Sequence, residues 1–235
     1  MDYYRDNTSG DLLTQDQLVA NNHTYVFNFP LTTTDYTALN ISPVIYVAPP
    51  VVDDIHTVSV ANPVQGSDGQ WTMAYTTTDI TVGMSSDVLA NLKQQLCSKY
   101  CAISDSVVNN IVITKGFSYN FVGCETDAGQ PAGIQILQMR NPTDLTNWLG
   151  LAVTAIGAIA SNQSSMQLKM RTAANVNVVV TALQVMQVFT AAVIWKAGLV
   201  FTSAEYKDTM IAYVADATKT PADIISVYNQ ILTMS

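Results

Sequence analysis

Met170-Arg171-Thr172-Ala173-Ala174-Asn175-Val176-Asn177-Val178-Val179-Val180-Thr181-Ala182 changes its period within thirteen residues. The β-branched run Val176 to Val180 faces Met166 to Met170 across Ala173-Ala174-Asn175, which predicts a hairpin. Thr181 then predicts a helix cap, because its hydroxyl accepts from a free N–H of the first turn. Ala182, Val185, Met186, Phe189 and Val193 follow at helical spacing and are expected inward. A hairpin feeding straight into a helix makes this part α+β, a helical domain carrying short β-hairpins.

Downstream, Gly198 is placed to end that helix and Ser203 to start another, with Tyr206, Met210, Tyr213 and Val214 on one face and Glu205 near its positive end. Pro221 opens a last helix carrying Ile224, Ile225, Tyr228 and Ile231. Upstream, Thr143-Asp144 opens a helix whose stripe is Leu145, Trp148, Leu149, Ala152, Ile156 and Ile159. Its other positions, Gly150, Thr154, Gly157 and Ala158, are small and uncharged, so this helix is expected to lie sandwiched. Asp127 to Gly133 reads as a loop, and Ile134 to Met139 as a short helix or strand. Before these, Val88, Leu89, Leu92, Leu96, Tyr100 and Ile103 predict a helix capped by Ser86 or Asp87. Two strands, Asn110 to Thr114 and Phe117 to Val122, are expected to pair across Lys115-Gly116.

The N-terminal third follows a period of two. Asp2 to Asp11 reads as a polar, aromatic arm, with a short helix at Leu12 to Asn21. Thr24-Tyr25-Val26-Phe27-Asn28-Phe29, Val44 to Val47, His56 to Val60 and Gln70 to Tyr75 are strand candidates. Pro30, Pro43, Pro49-Pro50, Pro63 and Gly66-Ser67-Asp68-Gly69 separate them, and Asp68-Gly69 is a tight-hairpin signal. Residues 1–84 are thus expected as an arm and a small antiparallel β domain, and 85–235 as the helical α+β domain. Thr32 to Thr37 and Thr76 to Thr81 match at five of six positions. The match does not extend over the flanking strands, so it reads as coincidence in a Thr-rich chain.

The 235 residues include 10 basic and 18 acidic side chains, a net charge of -8. Nucleic acid is not an expected partner, because phosphate binding needs clustered Lys and Arg, and Arg5, Arg140 and Arg171 are scattered. Charged residues make up 12% of the chain, about half the share of an ordinary soluble domain. So few ionised groups on a chain of 49% hydrophobic residues imply that much of the exterior meets protein. The alternative is a monomer coated in Thr and Asn. Leu145 to Leu168 and Thr172 to Trp195 hold no charge over 24 residues each, which is spanning length. Their Asn and Gln residues favour buried helices, so no membrane span is expected. The N-terminus lacks the basic and apolar regions of a signal peptide, which implies synthesis in the cytoplasm.

Groups that carry chemistry are sparse. The sequence contains no nucleophile elbow, no phosphate-binding glycine loop and no His pair at ligand spacing. Asp53-Asp54 reads as a solvated turn. Glu125 and Asp127 sit in a loop with too few oxygens for calcium. Cys97, Cys101 and Cys124 read as buried thiols. No catalytic residue, metal or cofactor is expected, a small-molecule ligand is not expected, and the chain is read as a non-enzyme.

From Leu92 to Ile231 the order of elements resembles a domain of undefined biochemistry found in bacteriophage tail, tail-fibre and fibre-assembly proteins. The likeness rests on the helix Leu92-Lys93-Gln94-Gln95-Leu96 and the strand Gly116-Phe117-Ser118-Tyr119-Asn120-Phe121, similar to the family's G-x-x-Y-x-F. It continues through the loop Glu125 to Gly129, the helix Leu151 to Ala160, the hairpin and helix start Met170 to Ala182, and the helix Glu205 to Ala212. Cys124 stands where an Asp often opens the loop, and the family's Gly-Trp-Pro-like ending is absent. Phe27-Asn28-Phe29-Pro30-Leu31 resembles the aromatic strand modules that begin phage baseplate proteins.

These resemblances imply a structural virion component of a phage tail, baseplate or fibre base. Its partners would be other copies of itself and neighbouring virion proteins. The N-terminal part would attach and the C-terminal part would oligomerise. Tyr3, Tyr4, Tyr25, Phe27 and Phe29 are the expected interface anchors, since aromatic rings give large area at low entropy cost. Three other readings stay open: host-glycan binding through exposed Trp71 and Tyr75, although Trp71 is expected in the core; a cytosolic fibre-assembly chaperone; and a head decoration or coat protein.

Overall fold

A computed structural model describes residues 2–138 and 142–234; Met139 and Arg140, named above, lie outside them. The protein is α+β, β-rich in its N-terminal part and helical in its C-terminal part. It divides into two units between Ser85 and Ser86.

The first unit is built on a five-stranded sheet, ordered β2-β1-β3-β5-β4. Its strands are β1 (Tyr3–Asp6), β2 (Leu12–Thr14), β3 (Ile41–Ile45), β4 (His56–Gln65) and β5 (Trp71–Asp79). The sheet is mixed and not purely antiparallel, because β3 runs parallel to β5. The expected arm is β1, which lies inside the sheet between β2 and β3. A strand buried on one face needs one large apolar side chain in every two residues. Tyr4 supplies it, 3% exposed in a cluster with Leu18, Leu31 and Ile41. Gly10, at φ +85°, turns the chain from β1 into β2, donating to the Asp6 carbonyl at 2.8 Å.

The expected helix Leu12 to Asn21 is β2 followed by α1 (Gln15–Asn21), capped by Thr14 with Gln17. Thr24 to Phe29 alternates as a strand should, yet it takes no ladder partner. The place beside β3 is already filled by β1, and β2 ends that side of the sheet. Pro43 and Pro63 do not break their strands. β5 begins opposite Val44, so no N–H is asked of Pro43 on that side. Pro63 falls at the register shift between Ala61 and Val64 on the edge strand β4, where the ladder tolerates it. Gly69, at φ +80°, closes the β4–β5 hairpin, with the Asp68 carboxylate accepting from Gln70 N–H at 3.0 Å.

The two Thr-Thr-Thr-Asp stretches fold differently. Thr32 caps α2 (Thr33–Ala38) in a capping box with Asp35, whereas Thr76 to Asp79 ends β5. Near-identical residues thus serve a helix in one setting and a strand in the other.

The second unit begins with α3 (Ser86–Thr114), 29 residues long. The expected strand Asn110 to Thr114 is its last turn. Val108, Ile111 and Val112 complete the helix's buried stripe, and that packing overrides their β-branching. Gly116, at φ +69°, turns helix into strand; a Cβ there would stand 2.7 Å from the Leu137 carbonyl. β6 (Phe117–Thr126), β7 (Pro131–Leu137), β8 (Gln167–Arg171) and β9 (Asn177–Thr181) form a sheet ordered β7-β6-β9-β8. The quoted hairpin is β8–β9, its turn carried by Asn175 at φ +61°.

Thr181 caps α5 in a box with Gln184, and α5 (Ala182–Ala215) runs 34 residues without a break. Gly198 does not end it and Ser203 does not start another. A helical glycine costs about 1 kcal/mol against alanine, too little to stop a helix held by packing on both sides. With α4 (Pro142–Ala160), the first half of α5 covers the sheet, through Ala155, Ala158, Val185, Val188 and Ala192 against Val178, Val180 and Met170. Its second half packs with α3 and with α6 (Pro221–Thr233). Tyr100 of α3 stacks on Tyr228 of α6, centroids 4.1 Å apart. Lys93, 6% exposed, donates from Nζ to the carbonyls of Tyr213 (3.1 Å) and Asp216 (2.8 Å), closing the C-terminal end of α5.

Candidate assembly surfaces

The five expected anchors part ways. Tyr4 is a core residue, and its ring is already spent on Leu18, Leu31 and Ile41. Tyr3, one residue away along the strand, faces the opposite side and stacks on Tyr46 at 6.0 Å, a ring 56% exposed. Tyr25, Phe27 and Phe29 form a ladder of rings, with centroids 5.2 and 5.8 Å apart. Its base is fixed: Tyr25 O–H donates to the Asp35 carboxylate at 2.5 Å. That bond, with those from Thr32, holds the Asp35 carboxyl down at about 2 and pushes the Tyr25 phenol up. Phe29 at the outer end is 40% exposed.

Trp71 is half-buried, not a core residue, and the Arg5 guanidinium lies over its ring at 4.0 Å. Tyr75 O–H donates to the Val47 carbonyl at 2.6 Å. One face of the Trp71 ring is therefore occupied by a side chain of the chain itself. Tyr46 is the surface residue that sequence reading missed; two residues beyond the buried Val44, it reads as inward, but β3 ends at Ile45 and leaves it outside.

Two helix faces in the second unit stand bare. On α4 the residues toward the core are Ala152, Ala155 and Ala158, with Trp148, Leu151 and Ile159 half-buried. Leu145, Leu149, Val153 and Ile156, three of them expected inward, are 45–67% exposed. The small residues let α4 approach α5 closely, and the large aliphatics are left outside. The expected sandwich has one side covered. On α5, Leu183, Val193, Ile194, Val200, Phe201 and Ile211 point outward, Phe201 at 70% exposure, although Val193 was expected inward.

Three helical glycines lie on these faces. Gly150, Gly157 and Gly198 are exposed, and a Cβ added to any of them would meet nothing within 4 Å. Each weakens its helix by about 1 kcal/mol relative to alanine, and no contact within the chain asks for it. Beside Gly150 and Thr154, an open groove of about 490 Å³ runs between α4 and β8, bordered by Trp148, Leu168 and Arg171.

The exposed area is large. The chain presents 13829 Å² to solvent. A compact protein of its 25.4 kDa would present about 10,300 Å², and two separate globules of the two units' sizes about 12,400 Å². The surplus over two globules, about 1,400 Å², exceeds the roughly 800 Å² that one partner commits to a standard interface.

By length and composition alone, α5 could also cross a membrane: mean hydropathy reaches 1.5 over an 18-residue window, 22% of it buried. The side facing Val178 and Val180, and the side facing α3, are packed against protein.

Titratable clusters are few. Asp53 pairs with His56 Nδ1 at 2.5 Å in an exposed turn and also accepts from Ile55 N–H. Asp127 accepts from the Asn177 amide at 2.8 Å. Among the described residues, no group of three or more His, Cys, Asp and Glu is placed to hold a metal ion. Cys97 and Cys101, one helical turn apart, bring their sulfurs to 3.9 Å. Burial, then the neighbouring thiol, pushes Cys97 up to about 11, so it stays an inert neutral thiol at pH 7. Comparison with family models, with curated proteins and with solved structures gives no match.

Proposed function

We propose that this chain is a structural component of a bacteriophage virion, from a tail, baseplate or fibre base, made in the host cytoplasm and acting through protein–protein contact without catalysis or cofactor. The particle comes from the sequence resemblance of Leu92 to Ile231; the mode of action comes from the surface. One observation carries it: the outward faces of α4 and α5 are aliphatic and open, that of α4 without a charged residue from Leu145 to Ala160, on a chain whose exposed area exceeds that of two compact globules. Burying such surface gains about 25 cal/mol for each Å², and rigid helices present it without an ordering cost. The partners are further copies of the chain and neighbouring virion proteins.

In this reading the first unit attaches. Tyr46, stacked on the half-buried Tyr3, and Phe29 at the end of its ladder are the exposed rings it offers. A glycan platform at Trp71 is the weaker reading, because Arg5 covers that ring. Neither nucleic acid nor a membrane is a partner here. The test is mass spectrometry of purified particles together with antibody labelling of intact ones. Stoichiometric presence on the particle supports the reading. Abundance in the infected lysate with absence from purified particles would overturn it in favour of an assembly chaperone.

A further inference from the structure

We infer that the outward face of α4 is a close helix-packing seam for a second copy of this chain. The inference rests on the assembly reading above and names the partner for one surface of it. Leu149-Gly150 recurs seven residues later as Ile156-Gly157, with Val153 between them, so two aliphatic knobs and two side-chain-free gaps repeat on one side of the helix. Seven residues is the repeat at which paired helices stay in register while knobs enter holes.

The gaps have no use inside the chain. A Cβ at Gly150 or Gly157 would enter open space. A small residue on a helix surface lets a second backbone come near, and the Gly150 carbonyl thus uncovered is not left to water, since the Thr154 hydroxyl donates to it at 2.8 Å.

Two features make the occupant another copy. The face is self-complementary, because the ridge of Leu149, Val153 and Ile156 lies beside the notches it would fill across a two-fold axis. Charge agrees. Each copy carries a net -8, so like copies meet at least cost where ionised groups are missing, and Leu145 to Leu168 has none. A basic partner would find nothing on this face to hold it. The surplus of about 1,400 Å², carried by the whole chain and not by α4 alone, leaves room for an interface of standard size to which this face contributes.

The test uses the full chain and two variants, Gly157→Leu and Ile156→Lys, followed by light scattering and native mass spectrometry across about 0.5 to 50 μM. The wild type should self-associate. Each variant should weaken association at least about tenfold, while far-UV circular dichroism and the melting temperature of the dilute Gly157→Leu monomer stay level or rise. Self-association that both variants leave unchanged would overturn this seam and spare the assembly reading. A wild-type monomer at 50 μM would overturn the second copy as occupant. The assembly reading would then stand or fall separately on the particle measurement. Flotation of the wild type with phosphatidylcholine vesicles, in place of self-association, would assign the face to lipid and likewise overturn the inference.

Discussion

Ser203 is 1% exposed between α5 and its neighbours, and its hydroxyl finds no hydrogen-bond partner. An orphaned buried donor costs about 1–3 kcal/mol, so Ser203→Ala should raise stability by about 1 kcal/mol, read as a higher urea midpoint at unchanged slope. Four carboxylates tell the opposite story. Asp35, Asp79, Asp216 and Asp223 are each held below the usual range, Asp35 first by Tyr25 and the others by Thr81, Thr218 and Thr220. A carboxyl depressed on folding adds stability that is complete above its unfolded value and fades as pH falls through the folded one. For Asp35 that window runs from 3.8 down to about 2. The melting temperature should therefore drop across it, and Asp35→Asn should drop less steeply while starting lower at pH 7. Some of this was legible. Thr181 declared itself as a cap because a hydroxyl ahead of an apolar helical run has one dominant use. Tyr4 did not, because the same tyrosine serves core or surface depending on which strand lies beside it.

Among the elements, α5 depends on a side chain from elsewhere. Lys93 reaches from α3 to accommodate two carbonyls at the α5 C-terminus, and hydrogen bonds from a charged donor are worth about 1.5–3 kcal/mol. Lys93→Met keeps the buried stem and removes the donor, so it should cost about 2 kcal/mol in urea unfolding, with a frayed last turn seen as faster amide exchange at Tyr213 to Ala215. Long-range contacts of this kind explain which elements sequence reading recovered. β8, β9 and α6 are set by local pattern and a proline at the first helical position. The run through Gly198 and Ser203 was hidden, since only packing against α3 and α6 outweighs two local stop-and-start signals. Thr24 to Phe29 was hidden for the converse reason: its alternating rings stack on one another, Tyr25 on Phe27 and Phe27 on Phe29, and not on a strand of the sheet.

For the whole molecule, the low count of ionised residues foretold surface without charge but not where it lies. The apolar stripe of α4 was visible in the sequence and its orientation only in part: Trp148, Ala152 and Ile159 face inward as expected, but Ala155 and Ala158 take the core positions that leave Leu145, Leu149 and Ile156 outside. The bare faces should bind an apolar dye. At pH 7 and submicromolar concentration the chain should enhance anilinonaphthalene sulfonate fluorescence while keeping the near-UV dichroism of a fixed fold, and the signal per chain should fall as concentration rises. An unenhanced dye would mean these faces are closed in solution. At about 51 Å, α5 is a single rod gripped at one end by the sheet and α4 and at the other by α3 and α6. A rod cannot melt at one grip and keep its register at the other. The second unit should thus lose its structure in one concerted step, and a load applied to either grip travels to the other with little give between.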